Sequence, residues 1–349
     1  MLRPMHVALI VPAPFDTVSG GYEYDRRIVA GLEAQGHTVS VVALPGRHPL
    51  PDATARDAAC AAMDRLPAGS RCVIDGLALP AFEGLDDALA ARGAIGLIHH
   101  PTAAETGLDA DLRGRQHALE RRLFGRLRRL IVTSEHTGES LAAGFGVDPT
   151  RIDIVVPGTD DAPRSAGSGG AGCAILSVGT LIPRKGHDVL LRALARLFDL
   201  DWSLTIVGSP DPDPVHAAGL RALTEELGLT RQVRFAGALD PAALDPLWRG
   251  ADLFALATHH EGYGMAIAEA LKRGLPVAVT AGGAAAALVG PEAGVVCQPA
   301  DQEQISKAMR RLVFSRTLRQ EMGEAAWQTG RALPNWTQQV DRFATAVAA

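Results

Sequence analysis

The sequence is poor in cysteine: Cys60, Cys72, Cys173 and Cys297 are four among 349 residues, and no two form a C-x-x-C pair. Scattered thiols without clustered histidines indicate neither a disulfide framework nor a zinc site, and this usage fits a reducing cytosol. An excess of one charge is missing too, since 34 Lys and Arg stand against 39 Asp and Glu for a net charge of −5. That balance argues against nucleic acid as the main partner and leaves room for a local basic patch. No apolar run approaches the roughly 18–20 residues that a helix needs to cross a bilayer. The apolar stretch 7–11 is five residues long and ends at Pro12, too short for a secretory signal, so the chain is expected to be cytoplasmic. The dinucleotide fingerprint G-x-G-x-x-G is absent after every strand recognised below, which disfavours a nicotinamide dehydrogenase.

What is present is an ordinary globular composition, 47% apolar and 21% charged, over a length that suits about two domains at ~150 residues each. Short apolar runs at 6–11, 38–44, 72–74, 94–98, 130–132 and 152–156 read as buried strands, with helices between them such as 22–35. Strands alternating with helices imply a parallel sheet covered on both faces, an α/β doubly wound layer. The stretch 161–172 has no periodicity and is crowded with Gly, Ser and Ala, so a flexible linker is expected there. After it the rhythm restarts, with strands at 174–178, 204–207, 233–236, 253–256 and 276–279 and helices at 188–197 and 265–273. The tail from 302 is helical in pattern, broken by Pro334 and Trp336 before a final helix at 337–347. The expected division is 1–164, a linker and hinge at 165–172, a second domain at 173–330, and a C-terminal helix within 331–349 able to pack back on the first domain. Ligands of such sheets bind at the carboxyl ends of the strands.

Four motifs lie at those ends. Glu261-Gly-Tyr-Gly-Met-Ala-Ile-Ala-Glu269 follows the strand 253–256 and leads into a helix. Gly262 and Gly264 would let free N–H groups approach an anion at the helix start, Glu269 could accept hydrogen bonds from a ribose diol, and Glu261 could reach hydroxyls beyond the phosphate. Taken alone, the two glutamates are equally compatible with a capping acid and a solvated helix residue. Gly179 followed by Arg184 and Lys185 offers backbone access and two adjacent cations near a diphosphate, or else a solvated basic loop. Gly20 and Gly21 precede the first helix as a phosphate loop would, though a tight turn needs the same residues. His99 and His100 end the strand 94–98, facing ligand or buried as structural residues, with no third metal ligand near them in sequence.

Together these motifs resemble the family 4 retaining glycosyltransferases. The resemblance rests on Glu261 and Glu269 with Ala270-Leu-Lys-Arg-Gly-Leu-Pro-Val277 after them, on Arg184-Lys185-Gly186 after Val178-Gly179, and on Gly20-Gly21 followed by Ala30-Gly-Leu-Glu-Ala-Gln-Gly-His37. Ile131-Val-Thr-Ser-Glu135 and Val156-Pro-Gly-Thr159 also match, so the similarity spans nearly the whole chain. It implies a GT-B fold, two Rossmann-like doubly wound domains facing each other across a cleft, with the acceptor on the first and a sugar nucleotide on the second. It implies that Glu269 holds the donor ribose, that Arg184 and Lys185 hold the diphosphate, and that Glu261 and His99 contact the transferred sugar. Gly20, Gly21, Gly179, Tyr263, Gly264 and Met265 would complete the donor site. Two departures concern the sugar end: Thr258-His-His260 stands where the family often has a serine, and Ala281-Gly-Gly-Ala-Ala-Ala-Ala-Leu288 lacks the Pro-Glu that usually follows the glycines.

The implied reaction is metal-independent, same-face transfer of a sugar from a nucleoside diphosphate to a hydroxyl acceptor (glycan, lipid-linked or small molecule), with no cofactor and retention of configuration. The rival readings are a noncatalytic sugar-nucleotide binding protein and an epimerase or phosphorylase of the same fold. A further partner is suggested by 112–129, where Arg113, Arg115, Arg121, Arg122, Arg126, Arg128 and Arg129 surround Leu112, Leu119, Leu123 and Leu127 at helical spacing. Such a basic amphipathic helix could touch the inner face of a membrane, and a solvated face over a buried stripe is the plainer alternative.

Overall fold

The computed structural model describes residues 3–105 and 107–349, and the chain divides into two compact units. In the first, β1 (His6–Pro12) is buried along nearly its whole length, as a continuous Val/Ala/Leu/Ile run requires of a parallel strand covered on both faces. It joins β2 (Thr38–Leu44), β3 (Arg71–Asp75), β4 (Ile95–Ile98), β5 (Arg129–Val132) and β6 (Ile152–Ile154) in the order β2-β1-β3-β4-β5-β6. All pairings are parallel, with Val7 opposite both Val39 and Arg71. The helices between them start at designed caps: Asp52, Asp109 and Ser134 accept from the N–H groups of Ala55, Leu112 and Thr137, each worth about 1 kcal/mol. Ile10, Ile74, Phe82, Leu123 and Phe124 fill the core, at about 1.5–3 kcal/mol for each large apolar side chain removed from water.

The second unit repeats the plan with β7 (Cys173–Val178), β8 (Trp202–Val207), β9 (Val233–Gly237), β10 (Leu253–Leu256), β11 (Val277–Thr280) and β12 (Gly294–Cys297), ordered β12-β11-β10-β7-β8-β9. The strand β12 was not expected: it is a four-residue edge strand in which only Cys297 is buried, so its apolar signal is too short to stand out. The sheet orders reverse direction between β1 and β3 in the first unit and between β7 and β10 in the second. Loops leaving the carboxyl ends on either side of such a reversal diverge and open a ligand crevice.

The chain leaves the first unit at Gly158–Thr159 and re-enters it at Pro334–Asn335. The boundary and hinge expected at 165–172 are therefore displaced, because that segment is strapped into the second unit. Ser165 Oγ donates to the carbonyls of Arg249 and Ala251, and the Ser168 N–H donates to Asp252. Its glycines serve turns, with φ +75° at Gly167 and +67° at Gly169. The last helix, Trp336–Ala348, opens on a capping box between Asn335 and Gln338 and belongs to the first unit. Its Val340 packs where a Cβ on Gly31 would come within 2.3 Å.

The basic helix is Ala110–Arg126, and it turns Gln116, Glu120, Leu123 and Phe124 inward. Its apolar stripe is thus core, and the face left to solvent presents arginines, two of which, Arg122 and Arg126, lie 3.5 Å from Asp86. The buried Leu123 and Leu127 agree with the plainer of the two readings of 112–129, a solvated face over a buried stripe. No helix among the described residues is long and apolar enough to cross a membrane.

Candidate functional site

In the second unit the two loops flanking the β7/β10 reversal are bonded to one another. After β7 the chain makes a short turn, Pro183–Lys185, closed by Gly186 at φ +63°. The Arg184 carbonyl at this turn accepts from the His259 N–H at 2.8 Å and from Thr258 Oγ1 at 3.0 Å, while Arg184 Nη1 donates to the His260 carbonyl at 2.7 Å. Lys185 Nζ donates to Glu261 Oε1 at 2.7 Å, with only 15% and 7% of the two side chains exposed. Lys185 reaches the acid by crossing Gly179, where a Cβ would stand 3.2 Å from Lys185 Cδ. Burial works to raise the Glu261 carboxyl, but Lys185 and Arg184 outweigh it and hold the group below the ordinary carboxylate range. The Glu261 backbone is clamped as well: its N–H donates to Gly282, its carbonyl accepts from Ala284, and it bridges Gly283. A Cβ on Gly283 would lie 2.2 Å from the Glu261 oxygen, which explains why the glycines of 281–288 are there.

The chain then turns at Gly264, φ +107°, into the helix Met265–Lys272. The N–H groups of that first turn have no acceptor within the helix and point outward with the positive end of its dipole. Glu269 lies half-buried on this helix, Met265 is half-buried at its start, and Tyr263 is buried, its phenol pushed up to about 12 by burial against a Thr159 hydrogen bond. Gly179, Arg184, Lys185, Glu261, Tyr263, Gly264, Met265 and Glu269 therefore all belong to the second unit.

The parts played by two residues of this arrangement escaped sequence reasoning, which noted Thr258 only as a departure from the family pattern and His187 not at all. His187 is fully buried, donates from Nε2 to the Gly179 carbonyl at 3.2 Å, and is driven down to about 4 by burial, so it supports the loop as a neutral ring. Thr258, also fully buried, bonds the Arg184 turn. A histidine directly after Arg184-Lys185-Gly186 was the only available signal for the first.

Gly20, Gly21 and His99 come together in the first unit. Gly20 and Gly21 open the helix Gly20–Ala34 behind Ser19, and a Cβ on Gly21 would stand 3.4 Å from the His99 ring. The two adjacent histidines diverge: His100 is hydrogen-bonded to Glu105, whereas His99 Nε2 lies 3.2 Å from Asp25 Oδ1 and 3.4 Å from Asp75 Oδ2. The partners that spacing along the chain did not reveal for His99 thus come from 74 and 24 residues away. One atom from each of Asp25, Asp75 and His99 falls within 4.8 Å of the others, at hydrogen-bonding separations in which the three groups satisfy each other.

Residues 162–329 match the family described as glycosyl transferases group 1. A D-inositol 3-phosphate glycosyltransferase of Rhodococcus erythropolis is 31% identical over 225 residues, covering 60% of this chain and 50% of the relative. The chain spans about half the length of the curated relatives it matches. Among solved structures, sucrose-phosphate synthase of Thermosynechococcus elongatus superposes with a TM-score of 0.80 at 19% identity, covering 98% of both chains. HepE of Anabaena, in complex with UDP-glucose, gives 0.75 at 16% identity with 99% of both chains covered. Two Rossmann-like units of this kind are the GT-B fold. The family match is seated on the unit that carries the Arg184-Lys185 turn and the two glutamates, so residues 162–329 are similar to the group 1 glycosyl transferases.

Proposed function

We propose that this protein transfers a sugar from a nucleoside diphosphate to a hydroxyl acceptor with retention of configuration. The observation that carries this reading is the Arg184–Lys185–Glu261 cluster beside the start of the helix Met265–Lys272. Two cations and a helix N-terminus are the donor set for a diphosphate, and a buried carboxylate held ionised among them is suited to accept hydrogen bonds from sugar hydroxyls. In the step itself the anomeric C–O bond breaks and its electron pair leaves with the diphosphate. The acceptor oxygen attacks from the same face, and its proton passes to the departing phosphate oxygen. Charge grows on the diphosphate in that transition state, where Arg184, Lys185 and the helix end stabilise it. No metal is assigned to the step. A uridine donor is the first to try, because solved relatives of the fold bind UDP and UDP-glucose. A phosphorylated cyclitol leads the acceptors, by analogy with the curated relatives.

A thermal-shift screen of sugar nucleotides, followed by assay of nucleoside diphosphate release with and without acceptors, tests the reading. Release that needs an acceptor supports transfer, and tight donor binding with no turnover over a broad acceptor panel supports a noncatalytic binder instead. Within this scheme Glu269→Ala is expected to weaken free nucleoside diphosphate and donor alike, by about tenfold for a charged hydrogen-bond acceptor lost from a ribose diol. Unchanged nucleotide affinity in calorimetric titration would remove Glu269 from the ribose. Glu261→Gln should spare nucleoside diphosphate affinity and depress turnover, and equal damage to both would move it to the phosphate end.

A further inference from the structure

We infer that Asp25 and Asp75 are positioning residues that lock the His99 ring as a two-proton donor, leaving its Nδ1–H edge to an oxygen acceptor of a ligand at the carboxyl end of the first sheet. The inference rests on the transfer reaction proposed above. Its observation is local to the first unit: a single ring nitrogen, Nε2, faces two carboxylates at 3.2 and 3.4 Å. An unprotonated nitrogen there would turn its lone pair toward two anions, so Nε2 carries a proton. Asp25 and Asp75 are 2% and 3% exposed, and water cannot take over their solvation. Each carboxylate is held from elsewhere. Asp25 rides on the helix Gly20–Ala34, and Asp75, the last residue of β3, uses its second oxygen to accept the Leu77 N–H at 2.8 Å.

The ring is held on its other sides too. Tyr24 meets it edge-on with centroids 5.2 Å apart, a Cβ on Gly21 would stand 3.4 Å from Cδ2, and Thr133 Oγ1 donates to the His99 carbonyl at 3.2 Å. Nδ1 has no hydrogen-bond partner among the described residues, and 15% of the side chain remains exposed. A ring committed through one nitrogen and open at the other presents one directed donor.

The titratable groups around His99 are few. From the helix Gly20–Ala34 come Asp25, Tyr24 and Tyr22, with Arg26 acting on Asp25. Asp75 comes from β3, and among the described residues the β5 side contributes the non-titrating hydroxyls of Thr133 and Thr137. His100 is engaged by Glu105. Burial by itself would lower the His99 ring, but the hydrogen bonds and charges of both aspartates lift it to about 10. Burial raises Asp25 to about 6 against the opposing pull of His99. Loss of the imidazolium proton would leave the buried carboxylates facing a ring that no longer offsets their charge.

The test uses the full chain labelled with nitrogen-15 histidine, the His99 signals being identified by their loss in His99→Gln. In the wild type both ring nitrogens should remain protonated to about pH 9, and in Asp25→Asn and Asp75→Asn the titration should fall by at least about one pH unit each. Turnover of Asp75→Asn should drop about tenfold or more relative to wild type near pH 8.5 and recover near pH 6, where the ring regains its proton. A wild-type His99 that titrates near 6.5, or that carries one proton throughout, overturns the inference whether or not the variants fold. A loss of turnover that is the same at both pH values overturns it as well, since that is the mark of a merely structural role. Absence of transfer by the wild type with every donor would count against the proposed reaction, while the titration would still decide the state of His99.

Discussion

Replacing Arg184 and Lys185 by alanine together is expected to lower glycosyl transfer by about four to six orders of magnitude, because each preorganised donor to a developing oxyanion is worth about 10²–10³ in turnover. Affinity for the uncharged nucleoside should stay within about twofold, since neither cation is assigned to it. The geometry supplies a control that separates chemistry from folding. Lys185→Ala alone strands the Glu261 carboxylate, whose side chain is 7% exposed and loses a 2.7 Å partner, and breaking a buried pair from one side costs about 3–5 kcal/mol. Lys185→Ala with Glu261→Gln removes the stranded charge, so it should recover most of that stability and remain inactive. Thermal unfolding and steady-state rates on the three variants make the comparison. Near-normal turnover in the Arg184/Lys185 double variant would reject the diphosphate role. The pH dependence follows from the same contact. A carboxyl held below its ordinary value contributes stability above the unfolded carboxylate pKa and loses it as pH falls through the lowered folded value. Arg184 and Lys185 provide that lowering against burial, so in the double variant the carboxyl should rise above its ordinary value, and acidification through that raised value should restore part of the lost stability, where the same acidification costs the wild type stability.

Gly186→Ala should cost the second unit more than about 3 kcal/mol, a fall in Tm of roughly 6–12 °C for a unit of this size. Gly186 sits at φ +63°, and a Cβ there would stand 1.9 Å from the Ala257 carbonyl oxygen. No flexible side chain can give way, because the obstacle is backbone at the end of β10. The turn would have to lift away, breaking the bonds from Arg184 to 258–260 and separating Lys185 from Glu261, so nucleotide binding should fall along with stability. Gly69→Ala is the matched comparison: its φ is +76° with nothing within 4 Å of the added carbon, so it bears only the left-handed penalty of about 1 kcal/mol. Equal falls in Tm for the two variants would show that close approach to Ala257 is not what Gly186 provides.

The alternation of apolar runs with helical stretches determined the two doubly wound units, because continuous β-branched runs bounded by glycine and polar residues have few other ways to bury themselves. The positions of Arg184, Lys185 and Glu261 at strand ends were legible for a similar reason, since each lies beyond a strand end in a short glycine-bearing motif. Less local features were not legible. The edge strand β12 has too few buried residues to announce itself, and the segment 165–172 looks flexible in composition because its anchors, Arg249, Ala251 and Asp252, lie some eighty residues away. Leu119, Leu123 and Leu127 face the core because of where the helix Ala110–Arg126 packs, which its periodicity alone leaves open between core and membrane. The two contacts on which the proposals rest depend on strand order. Lys185 meets Glu261 because β7 and β10 are neighbours, and His99 meets Asp75 because β3 and β4 are. Residue types and local spacing belong to the sequence by itself; which distant side chains share a buried site is set by which strands pair, and only the tertiary structure decides that.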